Sequence, residues 1–368
     1  MPSSCNVLYA SGGLATGDIQ KALNSCAKGK AVRLASRGSN NVFLTGPLNM
    51  PSGVSLSIDR GVVLRAVNKA SVFDDGGKTC GTLSSGGKGC KAVITFNNVS
   101  NSGIYGEGQI DGQGGTTLSD KGTSWWNLSQ KAKNSGQKQN VPRLIQINGS
   151  QNITLYKINL RNSPNFHVVF YKSNGLTVWN VNINTPANAR NTDGIDPISS
   201  KNVTVAYTDI STGDDNVAIK ANPNSGSASN MTFLNNTFGS GHGLSIGSQT
   251  NDGVYNIDVN QLSMNGTDNG LRIKSDKSSA GEVANIRYNN VTISNVKNAI
   301  VMDTVYENKS GSLRANWHDV SYNNITVKGN SNIIFNGTNA SRPLQATMTN
   351  MHLPSNIVWK VKNANIKK

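Results

Sequence analysis

A repeat of short strand-like segments constrains the fold of this chain more than any other feature of its sequence. Six segments begin with asparagine and continue with alternating apolar residues, and their starts lie 22 to 29 residues apart. They are residues 152–155, 174–178, 202–205, 230–233, 256–259 and 285–288. In most periods two further segments follow. Three strands per period without a helix predict an all-β fold, a right-handed parallel β-helix (a solenoid) whose coils stack about 4.8 Å apart.

Two other repeat architectures fit this pattern less well. A leucine-rich repeat would show a Leu-x-x-Leu-x-Leu frame, and a β-propeller needs longer periods with four strands per blade. We therefore expect one β-helix domain over residues 1–368. Asparagines at the strand starts are expected to stack and to hydrogen-bond from coil to coil, so most Asn-x-Ser/Thr triplets are predicted to be structural rather than glycosylation sites.

Two stretches depart from the strand pattern. Residues 16–28 carry apolar side chains along one helical face, which predicts a helix that caps the first coil, with Thr16 or Asp18 as its N-cap. Residues 111–142 lack alternation and contain adjacent tryptophans and a Lys-rich, Gln-rich segment. We expect this second stretch to be an irregular loop that leaves the coil and borders a cleft.

The cysteines and the absence of a targeting segment indicate the compartment. Cys5, Cys26, Cys80 and Cys90 allow three pairings, and we favour Cys5 with Cys26 and Cys80 with Cys90 because both close local loops. Disulfides are typical of extracellular proteins. The sequence has no signal peptide and no apolar run near the roughly 18 residues of a membrane span. We expect a mature secreted protein, not bound to a membrane, whose Met1 is an added start residue.

The net charge of +15, from 35 Lys and Arg against 20 Asp and Glu, indicates a polyanionic partner. Nucleic acid is one candidate, but the chain has no run of five or more basic residues and no nucleic-acid-binding signature. We therefore predict an acidic polysaccharide as the partner.

Ionisable side chains share columns when four third-strand segments are aligned: residues 193–198, 215–220, 242–247 and 269–274. The first column holds Asp193, Asp215 and His242, and Asp214 stands just before the second segment. These residues share the parity of the apolar core positions, so they reach the outer face only if they lie in the turn before each strand. We expect that they do.

Arg272 and Lys274 alternate with apolar neighbours and are predicted to point outward on the same face. Carboxylates, an imidazole and two cations would then converge, which suits hydrolysis of a sugar linkage between acidic sugars. Crowded carboxylates are expected to keep one carboxyl protonated near neutral pH, tuned by His242. Calcium prefers oxygen ligands without such cations nearby, so we predict no metal and no cofactor.

Each of these residues alone is more typical of a turn or of a solvated face, and only their alignment in columns favours a functional site. Asp196 falls in the Arg272 column but precedes Pro197, so it is kept apart as a residue that braces the turn. His167 is likewise interpreted as structural.

At these residues the chain resembles the bacterial polygalacturonases, glycoside hydrolases of the pectin-degrading β-helix group. The motifs are Asn191-Thr-Asp193, Gly213-Asp-Asp215, Gly241-His-Gly243 and Arg272-Ile-Lys274. The likeness extends over nearly the whole chain. It implies a secreted enzyme that hydrolyses α-1,4-galacturonosiduronic linkages in de-esterified pectin with inversion at the anomeric carbon.

Carried over residue by residue, the resemblance also implies the roles of the site residues. Asp214 would be the proton donor, Asp193 and Asp215 would activate the attacking water, and His242 would support the acid. The substrate-binding residues that it implies are Arg272, Lys274, Asn191 and Tyr306.

Several alternatives stay open at the level of the sequence. An enzyme that cleaves from chain ends needs inserted residues that close one end of its groove, like a wall. The aligned segments start at 193, 215, 242, 269 and 298, so the steps between them are 22, 27, 27 and 29 residues. These steps leave little chain for such a wall, which favours internal (endo) cleavage. Residues 111–142 are long enough to form one, so exo cleavage stays open. From the residues alone, retention is as compatible as inversion. A pectate lyase and a non-catalytic polysaccharide-binding β-helix are the further alternatives, and a monomer is expected.

Overall fold

The computed structural model describes residues 1–368. The chain divides into two compact units, residues 1–170 with 176–193, and residues 171–175 with 194–368. Parallel strands make up most of each unit, as the repeat predicts. The single domain expected over residues 1–368 stays a prediction. No helix of this chain has the length and apolar character that a membrane span requires.

In the first unit, successive strands of each period pair into three parallel ladders. The first ladder contains Ser4–Tyr9, Ala31–Ala35, Ser55–Ile58, Ser100–Tyr105 and Gln151–Tyr156. The second contains Val42–Thr45, Val63–Ala66, Gln109–Asp111, Asn159–Arg161 and Asn182–Asn184. The third contains Leu48–Asn49, Ile94–Asn97 and Ile145–Asn148. The strands Val168–Tyr171 and Asn174–Trp179 follow along the chain.

In the second unit, the first two predicted segments of each period form one continuous strand from Ala228 onward. The ladder contains Lys201–Ala206, Asp209–Ser211, Ala228–Phe238, Val254–Asn265, Glu282–Ser294, Asn316–Lys328, Leu344–His352 and Ala364–Lys367. The other ladder, named here the site ladder, contains Ile195–Ile198, Val217–Ala221, Leu244–Thr250, Asn269–Lys274, Asn298–Asp303, Asn332–Asn336 and Val358–Lys362.

Stacking in register builds both the core and the predicted asparagine ladder. Val217, Leu244 and Leu271 pair in one column of the site ladder, and all three are fully buried. Asn256 and Asn285 adopt left-handed backbone angles, which asparagine tolerates better than most residues. The Asn285 side-chain amide donates to Asn256 at 2.6 Å, which confirms the predicted stacking.

The N-terminal helix spans Thr16–Ser25 and buries Ile19 and Leu23, within the predicted range 16–28. The predicted cap is wrong, since Ala15 is the N-cap and no side chain caps the helix. The Thr16 hydroxyl instead accepts a hydrogen bond from the Gly46 amide at 2.8 Å. Both favoured disulfides are present, Cys5 with Cys26 and Cys80 with Cys90.

Residues 111–142 are not irregular throughout, because they contain a second helix, Trp125–Ser135. The Ser124 side chain caps it by accepting from the Asn127 amide, and Gly136 ends it in the left-handed conformation. The strand Lys138–Gln139 follows and pairs antiparallel with Leu83–Ser84. This excursion is therefore an ordered part of the first unit.

Candidate active site

The centre of the site is Asp215, a carboxylate in the turn two residues before the strand Val217–Ala221. Its Oδ1 accepts from Arg272 Nη2 at 2.6 Å and from Ser245 Oγ at 2.9 Å. Its Oδ2 accepts from Lys274 Nζ at 2.9 Å. All four side chains are nearly excluded from solvent, so these contacts form a buried charge cluster.

Strand geometry explains why two cations meet one carboxylate. Arg272 and Lys274 are two residues apart on the strand Asn269–Lys274, so their side chains leave the same face while Ile273 enters the core. Ser245 pairs in register with Arg272 on the neighbouring strand, and its hydroxyl accepts from Arg272 Nε at 3.0 Å. The arrangement confirms that these two cations share one outward face.

Asp215 is ionised in the resting protein. Burial by itself favours the neutral acid, but the charges of Lys274 and Arg272 outweigh it and hold the pKa of Asp215 well below its usual value. Lys220 acts in the same direction. Its ammonium also donates to the fully buried Asp196 at 2.8 Å, so Asp196 is part of a second ion pair rather than a simple brace of the turn.

Asp214 and His242 form an adjacent pair, with Asp214 Oδ1 3.2 Å from His242 Nδ1. Burial raises the pKa of Asp214, but the hydrogen bond and charge of His242 more than offset it, and the net shift is downward. The same hydrogen bond raises the pKa of His242 against the opposing effect of burial. The resting proton therefore belongs to His242. For Asp214 and Asp215 the pKa shifts run against the expectation that crowding keeps a carboxyl protonated, because His242, Lys274 and Arg272 favour their ionised forms.

The Gly-His-Gly motif forms a tight loop that fixes His242. Gly241 and Gly243 have φ angles of 143° and 88°, which disfavour other residues. A Cβ atom on Gly243 would lie 2.1 Å from the Asn269 carbonyl oxygen. Asn216 closes the loop by accepting from the Gly243 amide at 2.9 Å. The two glycines are thus required by backbone shape and close packing.

Tyr306 covers the two cations from the solvent side. Its ring centroid lies 4.8 Å from Lys274 Nζ and 5.6 Å from Arg272 Cζ, within cation–π range. Its backbone amide donates to the Ser275 carbonyl at 3.1 Å, which holds the residue beside the strand end. The residue is 39% exposed, so part of it is accessible to a ligand.

Asp193 and Asn191 lie in the first unit. Asp193 is buried, and its carbonyl lies 3.0 Å from Nδ1 of the fully buried His167, whose Nε2 lies 2.7 Å from the Thr185 hydroxyl. Burial lowers the pKa of His167 to about 4, so this histidine is neutral. Its contact with the Asp193 carbonyl agrees with the structural role expected for it. Asn191 Oδ1 accepts from Gln139 Nε2 at 3.0 Å, which ties it to the excursion.

Sequence reasoning missed three residues of the second-unit cluster. Ser245 stands in the Arg272 column, and Lys220 stands in the Lys274 column of the aligned segments. Asp268, whose Oδ2 lies 3.4 Å from His242 Nε2, precedes its segment as Asp214 precedes its own. Each of the three could have been found from its position in or just before the aligned segments. The predicted residues that the second unit brings together are Asp214, Asp215, His242, Arg272, Lys274 and Tyr306.

Asp214, Asp215 and His242 also offer three possible metal-ligand atoms within 4.8 Å of one another. Both oxygens of Asp215, however, already accept hydrogen bonds from cationic side chains. A further positive charge at this point would be repelled by Arg272 and Lys274. The donor set therefore suits an anionic ligand better than a metal ion.

Comparison with known proteins agrees with the resemblance and the fold. The model of "Glycosyl hydrolases family 28" matches residues 26–368. An endo-polygalacturonase of Pectobacterium parmentieri is 56% identical over 367 residues, which covers 100% of this chain and 91% of that protein. A polygalacturonase of Ralstonia solanacearum is 40% identical, covering 90% of this chain and 68% of that protein. The solved structure of a polygalacturonase from Erwinia carotovora ssp. carotovora superposes with a TM-score of 0.98 at 56% identity, covering 100% of this chain and 97% of that chain.

Proposed function

The chain belongs to the glycosyl hydrolases of family 28, and on that premise we infer that it is an endo-polygalacturonase, which hydrolyses polygalacturonate at internal linkages. The observation that carries this function is the buried Asp215 between Arg272 and Lys274, beside the Asp214–His242 pair. Acid, base and carboxylate-binding cations are the three requirements for hydrolysis between acidic sugars.

Asp214 is the proton donor to the leaving oxygen in this proposal. In the resting protein the hydrogen-bonded His242 holds the proton beside it. A substrate carboxylate brings negative charge to the cluster, which raises the pKa of Asp214 and moves the proton onto the acid. His242 is thus a positioning residue and a proton store, with Asp268 on its other nitrogen.

Asp215 and Asp193 activate the attacking water. Asp215 supports this role because Lys274 and Arg272 hold its pKa well below the usual value, so it is ionised near neutral pH. Asp193 precedes Ile195 by two residues, as Asp215 precedes Val217, and Ile195 pairs with Val217. We assign both carboxylates to the water, with inversion. Proton NMR of the first product anomer released from polygalacturonate tests this, and a product with the substrate's α configuration would refute it.

Arg272 and Lys274 bind the carboxylate of a galacturonate residue, with Tyr306 stacked against the sugar and Asn191 as a further contact. The support is that both cations share one face and that the Tyr306 ring is partly exposed beside them. The substrate carboxylate then shares these cations with Asp215. Buried charge-assisted hydrogen bonds of this kind are stronger than neutral ones.

Viscosity measured against reducing ends on long polygalacturonate, with a chelator present, tests the activity. Endo hydrolysis collapses viscosity after few cuts, whereas early release of only mono- or digalacturonate would refute the internal mode. Unsaturated uronides that absorb in the ultraviolet would indicate a lyase. The disulfides support action outside the cell, and we propose a monomer there, which light scattering coupled to size-exclusion chromatography checks.

A further inference from the structure

A basic cavity lies further along the site ladder, apart from the cluster around Asp215. Its volume is about 500 Å³, and its charged lining residues are all cations: Lys277, Arg314, Arg342 and Lys362. No carboxylate lines the cavity. None of the four cations forms an ion pair within 4.0 Å, unlike Arg272 and Lys274, and all four are exposed. The cavity therefore presents positive charge that is not neutralised within the protein.

The strand register relates this cavity to the candidate active site. Lys274 pairs with Asp303, Asp303 with Asn336, and Asn336 with Lys362. Residues in one column of a parallel ladder leave the same face, and successive strands lie about 4.8 Å apart. Three such steps place Lys362 roughly 14 Å along the ladder from Lys274. One extended polymer can therefore reach both positions.

The backbone around the cavity is fixed although its side chains are exposed. The Leu313 amide donates to the Lys277 carbonyl at 3.0 Å, and the Gly337 amide donates to the Lys362 carbonyl at 2.9 Å. Gly311 packs so closely that a Cβ atom there would lie 2.1 Å from the Lys277 carbonyl oxygen. The backbone that carries Lys277 and Lys362 is thus anchored, which lowers the entropy lost when the cavity binds a ligand.

We propose that this cavity is a second carboxylate-binding site, which holds a galacturonate residue of the same polymer at a distance from the scissile bond. The proposal rests on the proposed function. Arginine forks at positions 314 and 342 match a carboxylate in two hydrogen bonds. Long chains would gain affinity from this site, and oligomers too short to reach it would not.

The test compares the double variant Arg314→Gln/Arg342→Gln with the control Lys201→Gln/Lys367→Gln. The control removes two exposed cations that form no ion pair, from strands of the other ladder. We expect KM for long polygalacturonate to rise roughly 3- to 10-fold in the double variant, since two exposed ion pairs are lost. In the double variant, kcat for long polygalacturonate and kcat/KM for trigalacturonate are expected to stay unchanged. The control variant is expected to match the wild type on both substrates.

Calorimetric titration with polygalacturonate separates this proposal from the proposed function, because binding does not require turnover. Wild-type binding that weakens in the double variant supports the site even if no reducing ends are released. Equal losses in the double variant and the control would overturn it, since net charge alone would then explain them. Equal competition by dextran sulfate and by polygalacturonate would also overturn it, because the cavity would then be a general anion site.

Discussion

Replacing Asp215 by asparagine is expected to destabilise the protein as well as to stop turnover. The change leaves Arg272 and Lys274 buried without their counterion, and removing one partner of a buried pair costs about 3–5 kcal/mol. Asparagine keeps one acceptor oxygen, so we expect the lower end, about 3 kcal/mol. Asp214→Asn is the matched control, because its partner His242 lies at 3.2 Å in a more exposed pair, worth about 1 kcal/mol or less.

Unfolding in guanidinium chloride at pH 7 measures both losses. A double-mutant cycle with Lys274→Met isolates the interaction, and residues in contact typically show a coupling of about 0.5–3 kcal/mol. If Asp215→Asn costs no more than Asp214→Asn, or if the cycle is additive, then the carboxylate does not neutralise the cations and the charge cluster is misassigned.

The pH dependence of this stability follows from the direction of the pKa shift. The pKa of Asp215 is depressed in the folded protein, so its contribution is fully present above the unfolded value, near pH 4, and is lost as the pH falls through the folded value. The difference in unfolding free energy between wild type and Asp215→Asn is therefore expected to be constant from pH 7 to pH 5 and to shrink below about pH 4. A difference that grows on acidification would contradict the ionised state of Asp215.

Three further predictions concern activity on polygalacturonate, measured by reducing ends. Asp214→Asn is expected to lower kcat about 100-fold or more with KM little changed, because the amide cannot donate the proton. Arg272→Ala and Lys274→Ala are expected to raise KM and to reduce its dependence on ionic strength. In the wild type, kcat/KM is expected to fall as the pH rises through the raised pKa of His242, above 6.5, and His242→Gln should abolish this limb.

Each of these predictions has its own contradicting outcome. Asp214→Asn with more than about a tenth of wild-type kcat would remove Asp214 from the acid role. An unchanged KM in both cation variants would mean that Arg272 and Lys274 serve Asp215 alone. A basic limb that persists in His242→Gln would assign the titration to another group.

The columns of the site were predictable because a parallel ladder in register converts sequence spacing directly into spatial neighbourhood. The alignment of 215–220, 242–247 and 269–274 places Asp215, Ser245 and Lys274 on three successive coils. Alternation fixes the face of each side chain, but it does not fix which carboxylate oxygen meets which cation. The charge states of Asp214 and Asp215 therefore required the distances to their cationic partners.

The second helix carried recognisable signals that its composition obscured. Trp125, Leu128 and Ala132 follow a helical period, with Ser124 before them and Gly136 after the last turn. These residues lie in a stretch dominated by lysine, glutamine and asparagine, which is also typical of a loop. A tertiary contact also holds this helix in place, because the Trp126 indole donates to the Ser163 carbonyl at 2.9 Å. The two residues are 37 positions apart, so this contact could not be read from the local sequence.

A low resting pKa of Asp214 is compatible with acid catalysis, because the charge of the cluster changes when substrate binds. In the resting second unit, Arg272 and Lys274 carry two positive charges against the one negative charge of Asp215, and protonated His242 balances Asp214. A galacturonate carboxylate bound to Arg272 and Lys274 takes up this excess positive charge. The environment of Asp214 then becomes less positive, which raises the pKa of Asp214, and the neighbouring His242 can donate the proton. The acid pKa in the kcat profile should then lie above that in the kcat/KM profile, since the first reports the complex and the second the free enzyme. Identical values in both profiles would show that the substrate charge does not reach Asp214, and the proton would need another source.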